Sequence, residues 1–125
     1  MQAIEDPDMS NAQFSVAVVP GDGIGHEITA PTQALLTAIA DEVGGFSLSF
    51  SNVEAGAETY QKRGTDLPDE TIQTCEKADA VLLAACGMPG VRYPDGREIV
   101  PQLTLREIFG LYAGVRPVKM IPGVT

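Results

Sequence analysis

Residues 14–19 (FSVAVV) form an uninterrupted, β-rich apolar run, which predicts a buried strand. Residues 20–25 (PGDGIG) break it. Ile28, Leu35, Leu36, Ile39 and Val43 then recur at helical spacing and predict a helix. Pro31 is expected in its first turn, where a missing N–H matters little, and Gly44-Gly45 stops it. Phe46, Leu48 and Phe50 alternate with serines, the pattern of a half-buried strand. Residues 54–63 suit a short helix ended by Gly64. A further helix opens after Asp66, with Pro68 at its first position and acids in its first turn, and runs to near Lys77.

Residues 80–85 (AVLLAA) are apolar on both faces, so this third strand is expected to be central and parallel. Residues 86–101 hold three prolines and three glycines and read as a long loop, a feature that in compact domains tends to be functional. A short helix is expected over residues 103–109. A strand is expected over residues 112–120, restricted by Pro117 to an edge or an end. The β-α-β-α-β order argues for an α/β fold with a largely parallel sheet.

Composition and charge narrow the function classes. A chain of 125 residues, 44% hydrophobic, can bury a real core. No apolar run approaches the ~20 residues that span a membrane. Residues 1–13 are polar and acidic without the features of a secretory signal, and are expected to be a disordered tail, with Met9 a candidate start. Two cysteines, Cys75 and Cys86, make no disulfide framework and suit reduced thiols in the cytoplasm. The net charge of −9 argues against nucleic acid or an anionic membrane as partner. It is unevenly spread: residues 1–89 carry 3 basic and 14 acidic side chains, a net of −11, and residues 90–125 carry 5 and 3, a net of +2. Arginines gathered in an otherwise acidic chain suit an anionic small molecule, although chance surface placement gives the same pattern.

The glycine-rich stretch lies where a phosphate-binding turn would sit, between a strand and a helix. It is not G-x-G-x-x-G, because the third glycine comes one residue early, and Asp22 would repel a phosphate. A tight strand-to-helix turn lining a cleft is the better reading. Arg106 and Arg116 are the more telling pair. A reversal between their predicted helix and strand would bring two guanidiniums to one site, and the planar fork of arginine binds carboxylate bidentately. Two such groups suit a di- or tricarboxylic acid; two unrelated surface ion pairs are the alternative. His26 is expected to be exposed and neutral, and one histidine makes no metal site. Asp66, Asp69 and Glu70 are better explained as helix-start residues than as metal ligands.

Taken together, the motifs resemble the isopropylmalate/isocitrate/tartrate dehydrogenases. Segment 18–27 (VVPGDGIGHE) is similar to that family's opening signature. Segment 78–89 (ADAVLLAACGMP) is similar to its central strand and cofactor loop. Leu105-Arg106 followed by 111–119 (LYAGVRPVK) resembles its L-R…L-Y-A-N-x-R-P-x-K block. The resemblance covers about residues 14–125. It implies a three-layer α/β fold with a largely parallel sheet of the isopropylmalate dehydrogenase type, not a Rossmann fold, incomplete in this segment. Residues 14–105 would form the first part of the cofactor and substrate domain, and 106–125 the start of a truncated second segment.

The resemblance also implies roles. Arg106 and Arg116 match two arginines that bind the carboxylates of a 2-hydroxy di- or tricarboxylic acid, with Gln102 and Leu103 at the same substrate. Ile24, Gly87, Met88 and Pro89 match residues near the nicotinamide end of NAD or NADP, and Glu98 a glutamate of the cofactor loop. Hydride passes to the nucleotide, and decarboxylation usually follows. A Mg²⁺ or Mn²⁺ ion acts as Lewis acid, and its ligands, with the proton-handling lysine and tyrosine, are expected beyond residue 125. The parent is expected to be a cytoplasmic homodimer and the 125-residue piece inactive alone, with sheet edges and faces uncovered. Isopropylmalate is the first substrate, tartrate/malate or isocitrate the second. Two departures bear on this: His26 stands where the family usually has proline, and Gln102 where isopropylmalate enzymes typically have leucine. A non-enzymatic α/β binding module and a flavodoxin-like nucleotide binder are the competing classes.

Overall fold

The computed structural model describes residues 12–120 and 122–123. Its elements in chain order are β1 (Ala12–Gly21), α1 (Ile24–Val43), β2 (Phe46–Asn52), α2 (Ala57–Arg63), α3 (Asp69–Lys77), β3 (Ala80–Ala85) and α4 (Pro101–Ile108). The strands form a parallel sheet in the order β2-β1-β3. Val18 of β1 lies opposite Asn52 on one side and Leu82 on the other. The α/β class and the parallel sheet agree with the sequence reading.

The central strand is β1, not β3. Ala17, Val18 and Val19 have no solvent exposure, whereas Val81 of β3 is exposed and the strand is only half-buried. Apolar composition alone does not tell a central strand from one that meets its neighbour on a single edge. The pleat sends Ala17 and Val19 to one face, where they pack with Leu67, Cys75 and Leu105, with Ile72, Leu83 and Phe109 around them. Val16 and Val18, also buried, point to the other face, and α1 lies against all three strands.

Several boundaries moved for physical reasons. Of the expected tail, residues 1–11 lie outside the described residues, but Ala12 and Gln13 belong to β1, paired with Phe46 and Ser47. Backbone pairing is indifferent to a polar side chain at the exposed start of a strand. Because α1 begins at Ile24, Pro31 lies inside the helix rather than in its first turn. The carbonyl four residues back then lacks its donor, at Glu27, an exposed position where water can serve it. Pro68 is the N-cap of α3, one residue earlier than expected.

The helical spacing predicted α1, but of the five large apolar residues that carry it only Leu36 is half-buried. Its buried residues are Gly25, Thr29 and Ala40, while Ile28, Leu35, Ile39 and Val43 are exposed. Small residues let a helix sit close on a sheet, and the isoleucine stripe is turned outward. Residues 112–120 form no strand; they are exposed and pair with no strand among those described. Alternation cannot make a strand without a hydrogen-bonding partner. The expected division between residues 105 and 106 falls inside α4, whose Leu105 is in the core. Among the described residues no helix is long and apolar enough to cross a membrane.

Candidate functional site

From β1 the chain runs through α1 to β2 on one side, then through α2 and α3 to β3 on the other. This reversal opens a crevice at the carboxyl end of β1, the usual place for a ligand in an open α/β sheet. Segments 20–25, 52–58 and 85–89 meet there.

Glycine is required at two positions of the first segment. A Cβ at Gly21, whose φ is 75°, would lie 2.0 Å from the Ala85 carbonyl oxygen. One at Gly25 would lie 1.9 Å from the Pro20 carbonyl oxygen. The turn therefore rests directly on the end of β3, and the Asp22 N–H donates to the Ala85 carbonyl at 2.7 Å.

Asp22 is only 2% exposed. Its carboxylate accepts three backbone N–H groups: Ala57 at 2.8 Å, Glu58 at 2.8 Å and Gly87 at 2.7 Å. A buried carboxylate needs such donors, and these come from the start of α2 and from the loop after β3. From sequence alone Asp22 is no more than a charge that repels phosphate. A lone acid between a buried strand and a helix was the available signal of a buried acceptor.

The N-terminus of α1 is served by the chain itself. Glu58 accepts the Gly23 N–H at 3.1 Å and lies 3.2 Å from His26 Nε2 and 3.9 Å from Lys62 Nζ. The Gly23 N–H holds the Glu58 carboxyl below its usual range; partial burial opposes this, and the hydrogen bond with His26 and the charge of Lys62 add to the lowering. A phosphate would have to displace this carboxylate, which agrees with reading the turn as structural.

Gly87, Met88, Pro89, Glu98 and Gln102 line one cavity of about 270 Å³. Its loop is tied down at several points. Ile99 is 2% exposed, Arg92 pairs with Glu98 at 2.9 Å, and the Tyr93 ring meets Tyr60 edge-on at 5.2 Å. Burial first, then the neighbouring Asp66 carboxylate, pushes the Tyr93 phenol up to about 12. Cys86, on the same wall, is pushed up to about 11 by burial first and then by the charges of Asp22 and Asp66. Ile24 is exposed at the start of α1 and lines no cavity among those described.

Leu103 and Arg106 share a second, open cavity of about 490 Å³ with Tyr112. Gln102 and Arg106, one helical turn apart, also border an apolar cavity of about 230 Å³ against Val81 and Leu83. The Gln102 side-chain oxygen is buried and has no hydrogen-bond partner among the described residues. Arg116 is exposed in segment 112–120, where no strand forms, and lines none of these cavities. Among the described residues neither arginine forms an ion pair, whereas Arg92 and Arg97 are paired with Glu98 and Asp95. Among the described residues no group of three or more His, Cys, Asp or Glu could hold a metal ion.

The family model described as isocitrate/isopropylmalate dehydrogenase matches residues 15–125. The chain is 40% identical over 116 residues to 3-isopropylmalate dehydrogenase of Prochlorococcus marinus (strain NATL2A), covering 90% of this chain and 32% of that protein. It is 43% identical over 117 residues to the 3-isopropylmalate dehydrogenase of Synechococcus sp. (strain CC9902), with 90% and 32% covered. It thus spans about a third of the length of these curated relatives. Among solved structures, a beta-decarboxylating dehydrogenase from Thermococcus kodakarensis superimposes with a TM-score of 0.64 at 33% identity, covering 79% of this chain and 27% of that one. Isocitrate dehydrogenase from Methylococcus capsulatus gives 0.56 at 26% identity, with 79% and 26% covered. Because that family model spans nearly all of the chain, the chain belongs to the isocitrate/isopropylmalate dehydrogenase family.

Proposed function

We propose that this chain supplies the nicotinamide-side wall and a carboxylate-binding arginine of a dehydrogenase that oxidises, and then decarboxylates, a substituted malate, 3-isopropylmalate being the first choice. The observation that carries this reading is the shared cavity of Gly87, Met88, Pro89, Glu98 and Gln102, with Arg106 one turn further along α4. In this reading residues 87–89 hold the nicotinamide end of NAD or NADP and exclude water from it, with Ile24 approaching from α1. Arg106 binds one carboxylate of the substrate through its planar fork, Leu103 packs beside it, and Arg116 binds a second carboxylate. When bound, the nucleotide accepts hydride from the hydroxyl-bearing carbon. Mg²⁺ or Mn²⁺ comes with the family resemblance, but the described residues offer no group that could hold it.

The test is an assay of the natural gene product with Mg²⁺ or Mn²⁺, NAD or NADP and a panel of 2-hydroxy acids, following nucleotide reduction. No reduction with any of them removes the reading. A cytoplasmic homodimer is part of the same proposal, checked by sedimentation of that product.

A second reading rests on Gln102. Its unpartnered buried oxygen asks for a hydrogen-bond donor from whatever fills the cavity. A hydroxyl substituent, as in tartrate, offers one and an isopropyl group does not. A higher kcat/KM for the hydroxylated substrate in the same panel decides for this reading.

A further inference from the structure

We propose that Asp22 is the positioning residue of the loop formed by Gly87, Met88 and Pro89, fixing the nicotinamide wall to the glycine turn without itself touching a ligand. The proposal rests on the assignment of that loop under Proposed function, and it adds a residue to which the resemblance gave no role.

Asp22 is held from both sides. Its N–H donates to the last residue of β3, and its carboxylate accepts the Gly87 N–H two residues further on. The backbone and side chain of one residue thus bracket the point where β3 becomes the loop. The carboxylate is in turn pinned by Ala57 and Glu58 at the start of α2. Glycines surround it where no other residue fits. A Cβ at Gly56 would lie 2.5 Å from Asp22 Oδ2, and a Cβ at Gly21 would strike the Ala85 carbonyl. The spacing of the turn is therefore explained by the approach of three chain segments to one carboxylate, not by a phosphate.

The three donors are not equivalent. Ala57 is buried at a helix start, where releasing its N–H leaves a donor without solvent. Gly87 is exposed, so water can take over its N–H. The two oxygens are loaded unequally: Oδ1 accepts Glu58 alone, and Oδ2 accepts both Ala57 and Gly87. An amide therefore keeps the most bonds with its NH₂ toward Glu58 and its oxygen toward Gly87, whereas the bare methyl group of alanine releases Gly87 to water.

The test is residue-resolved amide exchange on the natural gene product. In the unmodified protein the Gly87 amide is expected to exchange at least tenfold more slowly than that of Gly90, its exposed loop neighbour. In Asp22→Ala the Gly87 amide is expected to speed up by about tenfold or more, and in Asp22→Asn, whose amide oxygen still faces it, to stay protected. Glu58→Gln, which loosens α1 and α2 without touching Gly87, is expected to leave Gly87 protected. In the kinetic assay Asp22→Ala is expected to raise KM for the nucleotide and leave KM for the hydroxy acid unchanged. A Gly87 amide whose exchange is unchanged in Asp22→Ala, or one that exchanges as fast as Gly90 in the unmodified protein, overturns the proposal; the second readout holds even if the variant does not fold. Because exchange needs no turnover, a protein with a protected, Asp22-dependent Gly87 and no dehydrogenase activity keeps the clamp and loses only the proposed function.

Discussion

The ring of His26 lies 3.2 Å from a carboxylate oxygen of Glu58, and the same carboxylate accepts the N–H of Gly23. One glutamate on α2 therefore ties down the first turn of α1. Its carboxyl is held low chiefly by the Gly23 N–H. A group whose folded pKa is depressed adds stability above its unfolded value, about 4.3 for glutamate, and loses it as pH falls through the lower folded value. Glu58→Gln is expected to flatten the acid limb of a plot of urea midpoint against pH and to leave its neutral region less affected. The flattening is partial, because Glu70, Asp79 and Asp95 are lowered as well. Parallel curves for the two proteins would mean that Glu58 is not a titrating tie.

Gly21 and Gly23 lie two residues apart and should respond very differently to alanine. Both have positive φ, 75° and 51°. Only Gly21 would also drive its Cβ into backbone, 2.0 Å from the Ala85 carbonyl oxygen; Gly23 has nothing within 4 Å. Gly23→Ala is expected to cost about 1–2 kcal/mol, the left-handed penalty alone. Gly21→Ala adds a backbone collision and is expected to cost about 3 kcal/mol or more. Chemical denaturation of the two variants side by side measures the gap, and similar losses would contradict the close approach of the turn to β3.

The contrast between these glycines shows where the sequence was legible. All three strands were visible as apolar or alternating runs, and residues 80–85 were placed to the residue. Which strand is central was not visible, because it depends on long-range pairing. The inward face of α1 was hidden because it is built largely from Gly25, Thr29 and Ala40, while Ile28, Leu35, Ile39 and Val43 are exposed. The role of Asp22 was hidden because its donors lie 35, 36 and 65 positions away. Gly87, Met88, Pro89 and Glu98 came from the resemblance, and the fold puts them around one cavity with Gln102.

Cys86 should be a slow thiol. Burial and the nearby Asp22 and Asp66 charges push it up to about 11. Its thiolate fraction at pH 7 is then about one in 10⁴, against a few per cent for an ordinary cysteine near 8.5. Alkylation followed by peptide mass spectrometry is expected to leave Cys86 largely unmodified under conditions that consume an exposed thiol. Asp22→Asn removes one of the two opposing charges and is expected to speed the reaction. Rapid labelling of the unmodified protein at neutral pH would refute the assignment of burial and charge.

The outward stripe of α1 has a consequence for the 125-residue chain on its own. Leu35, Ile39 and Val43 are 60%, 46% and 68% exposed along one side of the helix. An uncovered row of this kind drives association. The chain is expected to self-associate with rising concentration in sedimentation velocity, and Leu35→Glu with Ile39→Lys to shift it toward monomer. A monodisperse, protease-resistant monomer at all concentrations would contradict the expectation.

Arg106 and Arg116 are the sharpest test of the proposed carboxylate sites. Neither forms an ion pair among the described residues, and together with Lys119 and Glu107 they account for the +2 of residues 90–125 once Arg92 and Arg97 are set against Glu98 and Asp95. Both guanidiniums are therefore available to an anion. Lysine keeps the charge but loses the planar fork, so Arg106→Lys and Arg116→Lys separate bidentate recognition from simple attraction. A hydrogen bond to a charged group contributes about 1.5–3 kcal/mol, so each change is expected to lower kcat/KM for the hydroxy acid by about 10- to 100-fold with KM for the nucleotide unchanged. Arg97→Lys, on an arginine already paired with Asp95, is expected to behave as the unmodified enzyme. If Arg116→Lys retains full activity while Arg106→Lys loses it, the second carboxylate is bound elsewhere.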